Sequence, residues 1–153
     1  MKRIFVTGAN GQLGTTLKQQ SLGSENQWVF CGRNEIDMTK THSIASFLEN
    51  QSFDFCINCA AYTNVEGAEK EIDAAHVLNV EAVKNLVVVC NEKQITLLHI
   101  SSDYVFDGTK KAPYVETDQT SPLNQYGKTK LLGEQYIQQN APAFYIIRTS
   151  WLY

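Results

Sequence analysis

Short apolar runs alternate along this chain with longer stretches of helical period. The runs predict strands at Arg3–Thr7, Trp28–Gly32, Asp54–Cys59, Thr96–Ser101 and Phe144–Arg148. The longer stretches predict helices at Gln12–Gln20, Thr41–Asn50, Glu66–Asn91 (with a break near Asn79) and Ser121–Asn140. Thr41 is placed to cap the second helix, and Pro122 suits the first turn of the last. Strands alternating with helices indicate a parallel sheet flanked by helices, the Rossmann-type doubly wound α/β class. Residues 103–120 match neither period. They are rich in Asp, Gly, Lys, Pro and Thr and read as a long loop, which in a compact domain often carries function.

No repeat or linker interrupts the pattern, so residues 1–153 read as one domain with a core of its own. Hydrophobic residues make up 43% and charged residues 19%, ordinary for a globular chain. The net charge of −3 gives no reason to expect nucleic acid or an anionic membrane as partner. No apolar run approaches the ~20 residues of a membrane span. The first run breaks at Thr7-Gly8, too soon for a signal peptide. The expected location is the cytoplasm. Cys56 and Cys59 have redox or zinc spacing, but in a strand residues three apart point to opposite faces, and no second pair completes a zinc tetrad. The cysteines read as buried, inert thiols, with no metal site.

Polar and glycine clusters begin where predicted strands end. Residues 7 to 14, Thr-Gly-Ala-Asn-Gly-Gln-Leu-Gly, follow the first strand and open a helix. Glycines also mark ordinary turns. A strand, three spaced glycines and a helix in that order are instead how a chain cradles a pyrophosphate: Gly8 turns sharply, Gly11 lets the backbone approach, and Gly14 lets the helix lie close. The anion then meets N–H groups at the positive end of the helix. Asn58-Cys59-Ala60-Ala61-Tyr62-Thr63, Ser101-Ser102-Asp103-Tyr104 and Thr149-Ser150-Trp151 end three further strands. In an open α/β sheet these ends share one edge, where ligands bind.

Tyr126 and Lys130 lie four apart and share a helix face. A phenol has a pKa near ~10, and a cation within ~4–6 Å lowers it. Bringing it to about 7 takes roughly 4 kcal/mol, more than lysine alone supplies but within reach of lysine and a cationic nicotinamide together. Ser102, at a neighbouring strand tip, is placed to bond the same substrate oxygen. A proton donor, an orienting hydroxyl and a cation beside a nucleotide suit hydride transfer to or from a C=O. His99 lies in an apolar strand and reads as a satisfied core histidine; His42, His76 and Lys110-Lys111 belong to no constellation.

The Gly-x-x-Gly-x-x-Gly turn, Asn58-Cys59-Ala60-Ala61, Ser102 and the Tyr-x-x-x-Lys pair resemble the extended short-chain dehydrogenases/reductases. Gly11-Gln12-Leu13-Gly14, Ala60-Ala61-Tyr62-Thr63, the stretch from Ser101 to Gly108 and Arg148-Thr149-Ser150-Trp151 are similar to the dTDP-4-dehydrorhamnose reductase family within them. The resemblance implies NADPH- or NADH-dependent reduction of the C4 keto group of dTDP-4-dehydro-L-rhamnose to dTDP-L-rhamnose, a step in polysaccharide biosynthesis. By motif, Tyr126 is the proton donor and Lys130 holds the nicotinamide ribose. Ser102 stands where the family usually has threonine. Gly11, Gln12 and Leu13 meet the pyrophosphate, Gly8, Asn10 and Gly14 belong to the same cofactor-binding turn, and Asp37 and Met38 lie near the adenine. Ala60, Ala61, Tyr62 and Thr63 flank the cofactor ribose and phosphates. Ser102, Asp103 and Trp151 face the sugar nucleotide.

Arg33, at the tip of the second strand, is placed to accept a 2′-phosphate, which favours NADP. Family members are longer and carry a C-terminal substrate lobe, so a cofactor-binding part of a longer protein is expected here, with a homodimer as the assembly open to that parent. Two other functions share the scaffold. A nucleotide-sugar epimerase reuses its hydride, and the NADP-binding regulatory subunit of methionine adenosyltransferase is similar to this family. A dehydratase would follow the strand-tip hydroxyl with Asp-Glu, whereas Asp103 is followed by Tyr104.

Overall fold

The computed structural model describes residues 1–150; the expectation for Trp151 lies outside them. Five strands form one sheet: β1 Arg3–Thr7, β2 Gln27–Cys31, β3 Phe55–Asn58, β4 Thr96–Ser102 and β5 Phe144–Thr149. Their order is β2-β1-β3-β4-β5, and every neighbouring pair is parallel. The chain winds outward from β1 in both directions, so the switch point falls beside β1, where doubly wound sheets bind ligands. In register, Thr7 lies opposite both Cys31 and Asn58, Asn58 opposite His99, and Ser102 opposite Thr149. All five carboxyl ends thus share one rim.

Alternation sorts the side chains. Phe5, Cys56 and Leu97 point into the main core, where they meet Ile44, Leu48, Leu86 and Ile137. The last four come from α2 (Thr41–Phe47) and its end, α5 (Ala82–Glu92) and α6 (Gln125–Asn140). On the other face Val6 is buried, while Tyr145 and Ile147 of β5 are exposed. Alternation also separates the cysteines. Cys56 is buried in the core, Cys59 is half-buried at the rim, and all four thiols are free. Burial raises Cys31 to about 12 and Cys59 to about 11, as suits unreactive thiols.

Helix limits differ from the sequence expectation where side chains make other bonds. The N-cap of α2 is Lys40, not Thr41, because the Thr41 hydroxyl donates to Asn85 Oδ1 at 2.9 Å. The predicted helix at 66–91 is three pieces: α3 Val65–Ala68, α4 Ile72–His76 and α5. A π-turn at Val77–Glu81 joins the last two, at the expected break. Within it Asn79 is buried; it accepts from Tyr62 N at 2.9 Å and donates to Tyr62 O at 3.1 Å and Thr129 Oγ1 at 3.0 Å. One added residue in the turn brings that amide to bear. Helix α6 begins at Gln125 rather than Ser121, and Pro122 precedes it, because Asn124 caps it by accepting from Gly127 N at 2.7 Å. Asn124→Ala is expected to cost about 0.5–2 kcal/mol, read as a lowered urea midpoint at unchanged slope.

The long loop starts with a 3₁₀ turn, Asp103–Val105. It is ordered by local bonds: Asp107 Oδ1 accepts from Thr109 N and Tyr114 Oη, and Asp118 pairs with Lys110. Phe106 stacks on Tyr114 with ring centres 4.1 Å apart.

Candidate functional site

A cleft of about 1130 Å³ lies outside the carboxyl ends of the strands. Its floor at the switch point is the glycine turn. Gly8 has φ +66°, and a Cβ there would lie 2.6 Å from Ala60 N. A Cβ on Gly14 would lie 2.4 Å from Gly8 O. Neither position admits a side chain, so β1, the turn and α1 (Gln12–Gln20) sit as close as backbone allows. Gly11 is the N-cap of α1 and provides no capping side chain, which leaves the positive end of that helix facing the cleft. This cradle suits a dinucleotide pyrophosphate. Ser101 Oγ is the one buried side-chain oxygen without a hydrogen-bond partner among the described residues, and Ser101 also lines the cleft. A polar ligand there would satisfy it.

Most residues singled out from the sequence line this one cleft: Gly8, Asn10, Gly11, Gln12, Leu13, Arg33, Asp37, Met38, Ala60, Ala61, Thr63, Ser102, Asp103, Tyr126 and Lys130. Two do not. Gly14 is buried beneath the turn, where it serves packing. Tyr62 turns away from the cleft, its Oη donating to Glu71 at 2.6 Å and its backbone bonded to Asn79. Asp37 is at the rim but already committed. Hydrogen bonds from Thr39, and Lys40 beside it, hold its carboxyl at about 2. Glu35 likewise bends back to accept from Gly32 N at 2.7 Å, and Arg33 stands exposed at the cleft edge.

At the other end, Asn124 and α6 bring Tyr126 to the tip of β4. The Tyr126 ring meets Tyr104 edge-on, 5.6 Å between centres. Ser102 accepts from Tyr104 N at 3.1 Å and donates to Asp103 Oδ1 at 3.2 Å. The phenol is pushed above its usual value, chiefly by burial, while the adjacent Ser102 hydroxyl pulls the other way. Lys130 Nζ is turned to other partners: it donates to Ile100 O at 2.7 Å and lies 3.3 Å from His99 Nε2. Lys130 is buried, and desolvation lowers it to about 8 against the opposing charge of Glu134.

Sequence reasoning missed the groups that hold Lys130. His99 is buried as expected of a core residue, but one ring nitrogen faces the lysine. Glu134, one turn beyond Lys130 and fully buried, is gripped by Arg148 through Nε to Oε1 at 3.0 Å and Nη2 to Oε2 at 2.6 Å. The i, i+4 spacing of Lys130 and Glu134 was the available signal. Among the described residues no cluster of acids, histidines and cysteines could hold a metal ion, and no helix is long and apolar enough to cross a membrane.

A family model described as the RmlD substrate binding domain matches residues 1–153. A dTDP-4-dehydrorhamnose reductase of Burkholderia thailandensis is 42% identical over 151 residues, covering 99% of this chain and 50% of that protein. A dTDP-4-keto-6-deoxy-D-glucose reductase of Streptomyces niveus is 40% identical over 152 residues, 99% of this chain and 53% of that one. The crystal structure of a dTDP-4-dehydrorhamnose reductase from Bacillus anthracis in complex with NADP superimposes with a TM-score of 0.95 at 36% identity, over 99% of this chain and 54% of that one. The chain spans about half the length of the curated relatives it matches.

Proposed function

The chain belongs to the RmlD substrate binding domain family, and from that premise we propose that it is the dinucleotide-holding part of a nucleotide-sugar ketoreductase. The cofactor is NADPH, and the reaction reduces the C4 ketone of dTDP-4-dehydro-L-rhamnose to dTDP-L-rhamnose in the cytoplasm. The observation that carries this is the meeting of Tyr126, Ser102 and Lys130 with the Gly8–Leu13 cradle in one cleft. Bound nicotinamide supplies the hydride. Tyr126 gives its phenolic proton to the ketone oxygen as charge develops there. Its raised pKa supports this direction, because the phenol stays protonated at neutral pH. Ser102 orients the same oxygen, and its position one residue before Asp103 sets both at the mouth where a sugar would enter.

Arg33 and Asp37 favour NADPH over NADH. The arginine stands at the cleft edge to take a 2′-phosphate, while the acid is occupied by Thr39 and Lys40. The relatives named for two different 4-keto sugars share the ketone at C4, which is the group the Tyr126–Ser102 pair addresses.

The test is calorimetric titration of the chain with each cofactor, then addition of the 4-keto sugar nucleotide to the full-length protein while NADPH consumption is followed. NADPH is expected to bind roughly tenfold tighter than NADH, a difference of about 1.4 kcal/mol. NADPH should be consumed only with the keto sugar present. Absence of heat with either cofactor would remove the dinucleotide reading, and consumption without the sugar would remove the ketoreductase one.

A further inference from the structure

A chain of buried polar groups runs from the centre of the sheet to Lys130, and the proposed reaction leaves it without a task. It starts at Thr7 Oγ1, which donates to Asn58 Oδ1 at 2.7 Å. The backbone N–H of Ala60 donates to the same oxygen at 3.2 Å. An amide N–H can only donate, so this contact fixes the Asn58 side chain: oxygen toward Ala60, nitrogen toward β4. Asn58 Nδ2 then faces His99 Nδ1 at 3.0 Å. The amide nitrogen has hydrogens to give and no lone pair to offer, so Nδ1 must be the acceptor. A neutral imidazole accepting at Nδ1 carries its proton on Nε2.

Imidazole neutrality is secure. His99 is fully buried, and burial, the larger cause, holds it well below its usual value. Its Nε2–H therefore points at Lys130 Nζ, 3.3 Å away. An ammonium has no lone pair to receive it, whereas an amine does. Lys130 as an amine accepts from His99 and still donates to Ile100 O at 2.7 Å. As an ammonium it would set two donors against each other in a site almost closed to water.

We infer that His99, with its tautomer fixed by Asn58, is a positioning residue that disfavours the ammonium form of Lys130, so that the lysine is shared between amine and ammonium just above neutrality and takes up a proton in response to what enters the cleft. The groups facing Lys130 fit this. From β4 there is His99. At the end of β3 Cys59 is itself pushed up by burial to about 11 and so uncharged. From α6 there is Glu134, whose charge favours the ammonium but is shared with Arg148 of β5. Desolvation outweighs these and leaves the lysine near 8, close enough to neutrality for a bound dinucleotide's phosphate charge and ribose oxygens to turn the balance.

The inference rests on the ketoreductase reading only for the identity of what enters the cleft. Three measurements on the chain test it. The first is the long-range 1H–15N spectrum of the imidazoles, of which there are three. His99 should show a protonated Nε2 and a bare Nδ1 between about pH 6 and 8. The second is the titration of Lys130, followed at its labelled ε-carbon. The midpoint should lie near 8. In His99→Gln the carboxamide oxygen can accept from an ammonium, so the midpoint should rise by a pH unit or more, about tenfold in proton affinity.

The third is NADPH binding by calorimetry in two buffers of different ionisation heat, near pH 8. The wild-type chain should take up a fraction of a proton on binding, and His99→Gln should take up much less. A protonated Nδ1, a wild-type lysine titrating near its free value of ~10.4, or equal midpoints in the two proteins would each overturn the inference. If His99→Gln does not fold, the wild-type spectrum and titration still decide it. If NADPH gives no heat, the function proposed above fails while the first two measurements still decide the His99–Lys130 pairing.

Discussion

In the full-length protein, on the proposed ketoreductase reading, Tyr126→Phe is expected to slow ketone reduction by about 10²–10⁴-fold at saturating NADPH and sugar, while NADPH affinity changes by less than about threefold. The substitution removes one oxygen and keeps the ring. The edge-on packing against Tyr104 survives, and so does the buried volume beside Ala68 and Ala75. Only the proton donor is lost, so the effect falls on the chemical step. The pH dependence has a definite sign. The working form is the protonated phenol, and burial holds its pKa above the usual value. The Tyr126 limb of the rate profile is therefore flat through neutrality and falls only at high pH. A rate in Tyr126→Phe equal to the wild-type rate would remove Tyr126 as the acid. An equal loss in NADPH affinity would mean that the hydroxyl helps to hold the cofactor instead of acting only in the chemical step.

Much of this site was legible because it depends on chain direction. Once five apolar runs alternate with helices, the sheet must be parallel, and its carboxyl ends must share an edge. That logic placed Gly8 and Ser102 on one edge without any contact being known, and Tyr126 joined them through its spacing to Lys130 and the family resemblance. The parts that were not legible depend on side chains choosing between partners. Thr41 is a sound cap by type, yet its hydroxyl finds Asn85 across the core face. Tyr62 belongs to a motif that flanks the cleft, yet Glu71 draws its hydroxyl away. Asp37 reads as a residue beside the adenine, yet Thr39 and Lys40 hold its carboxyl. Gly127 carried an unused signal, since a glycine inside a helical pattern costs about 1 kcal/mol and marks close packing. A Cβ there would meet Tyr104 O at 2.2 Å. That absent side chain is what lets α6 press Tyr126 against the tip of β4.

Arg148→Met is expected to destabilise the chain by about 3–5 kcal/mol, with a loss in melting temperature on the order of 10 °C. Glu134 is fully buried, and both its oxygens are bonded by this one guanidinium. Removing the arginine strands a carboxylate in the core, and the cost is the penalty of that charge rather than the worth of the pair. The double substitution Glu134→Leu with Arg148→Met should therefore recover most of the loss, because it removes the charge along with its partner. Recovery will be incomplete. Arg148 also lies over the Phe106 ring at 5.0 Å and reaches Glu116 O at 3.5 Å, tying the long loop to β5. The substitution should also be felt at the site. With the guanidinium gone, the negative charge of Glu134 acts on Lys130 unshared, so the lysine midpoint moves up from about 8. Urea unfolding and the Lys130 titration, run on the single and double variants, separate the two effects. A single variant as stable as the wild type would mean that Glu134 is protonated in the fold, and the ion pair would then not be what anchors α6 to the sheet.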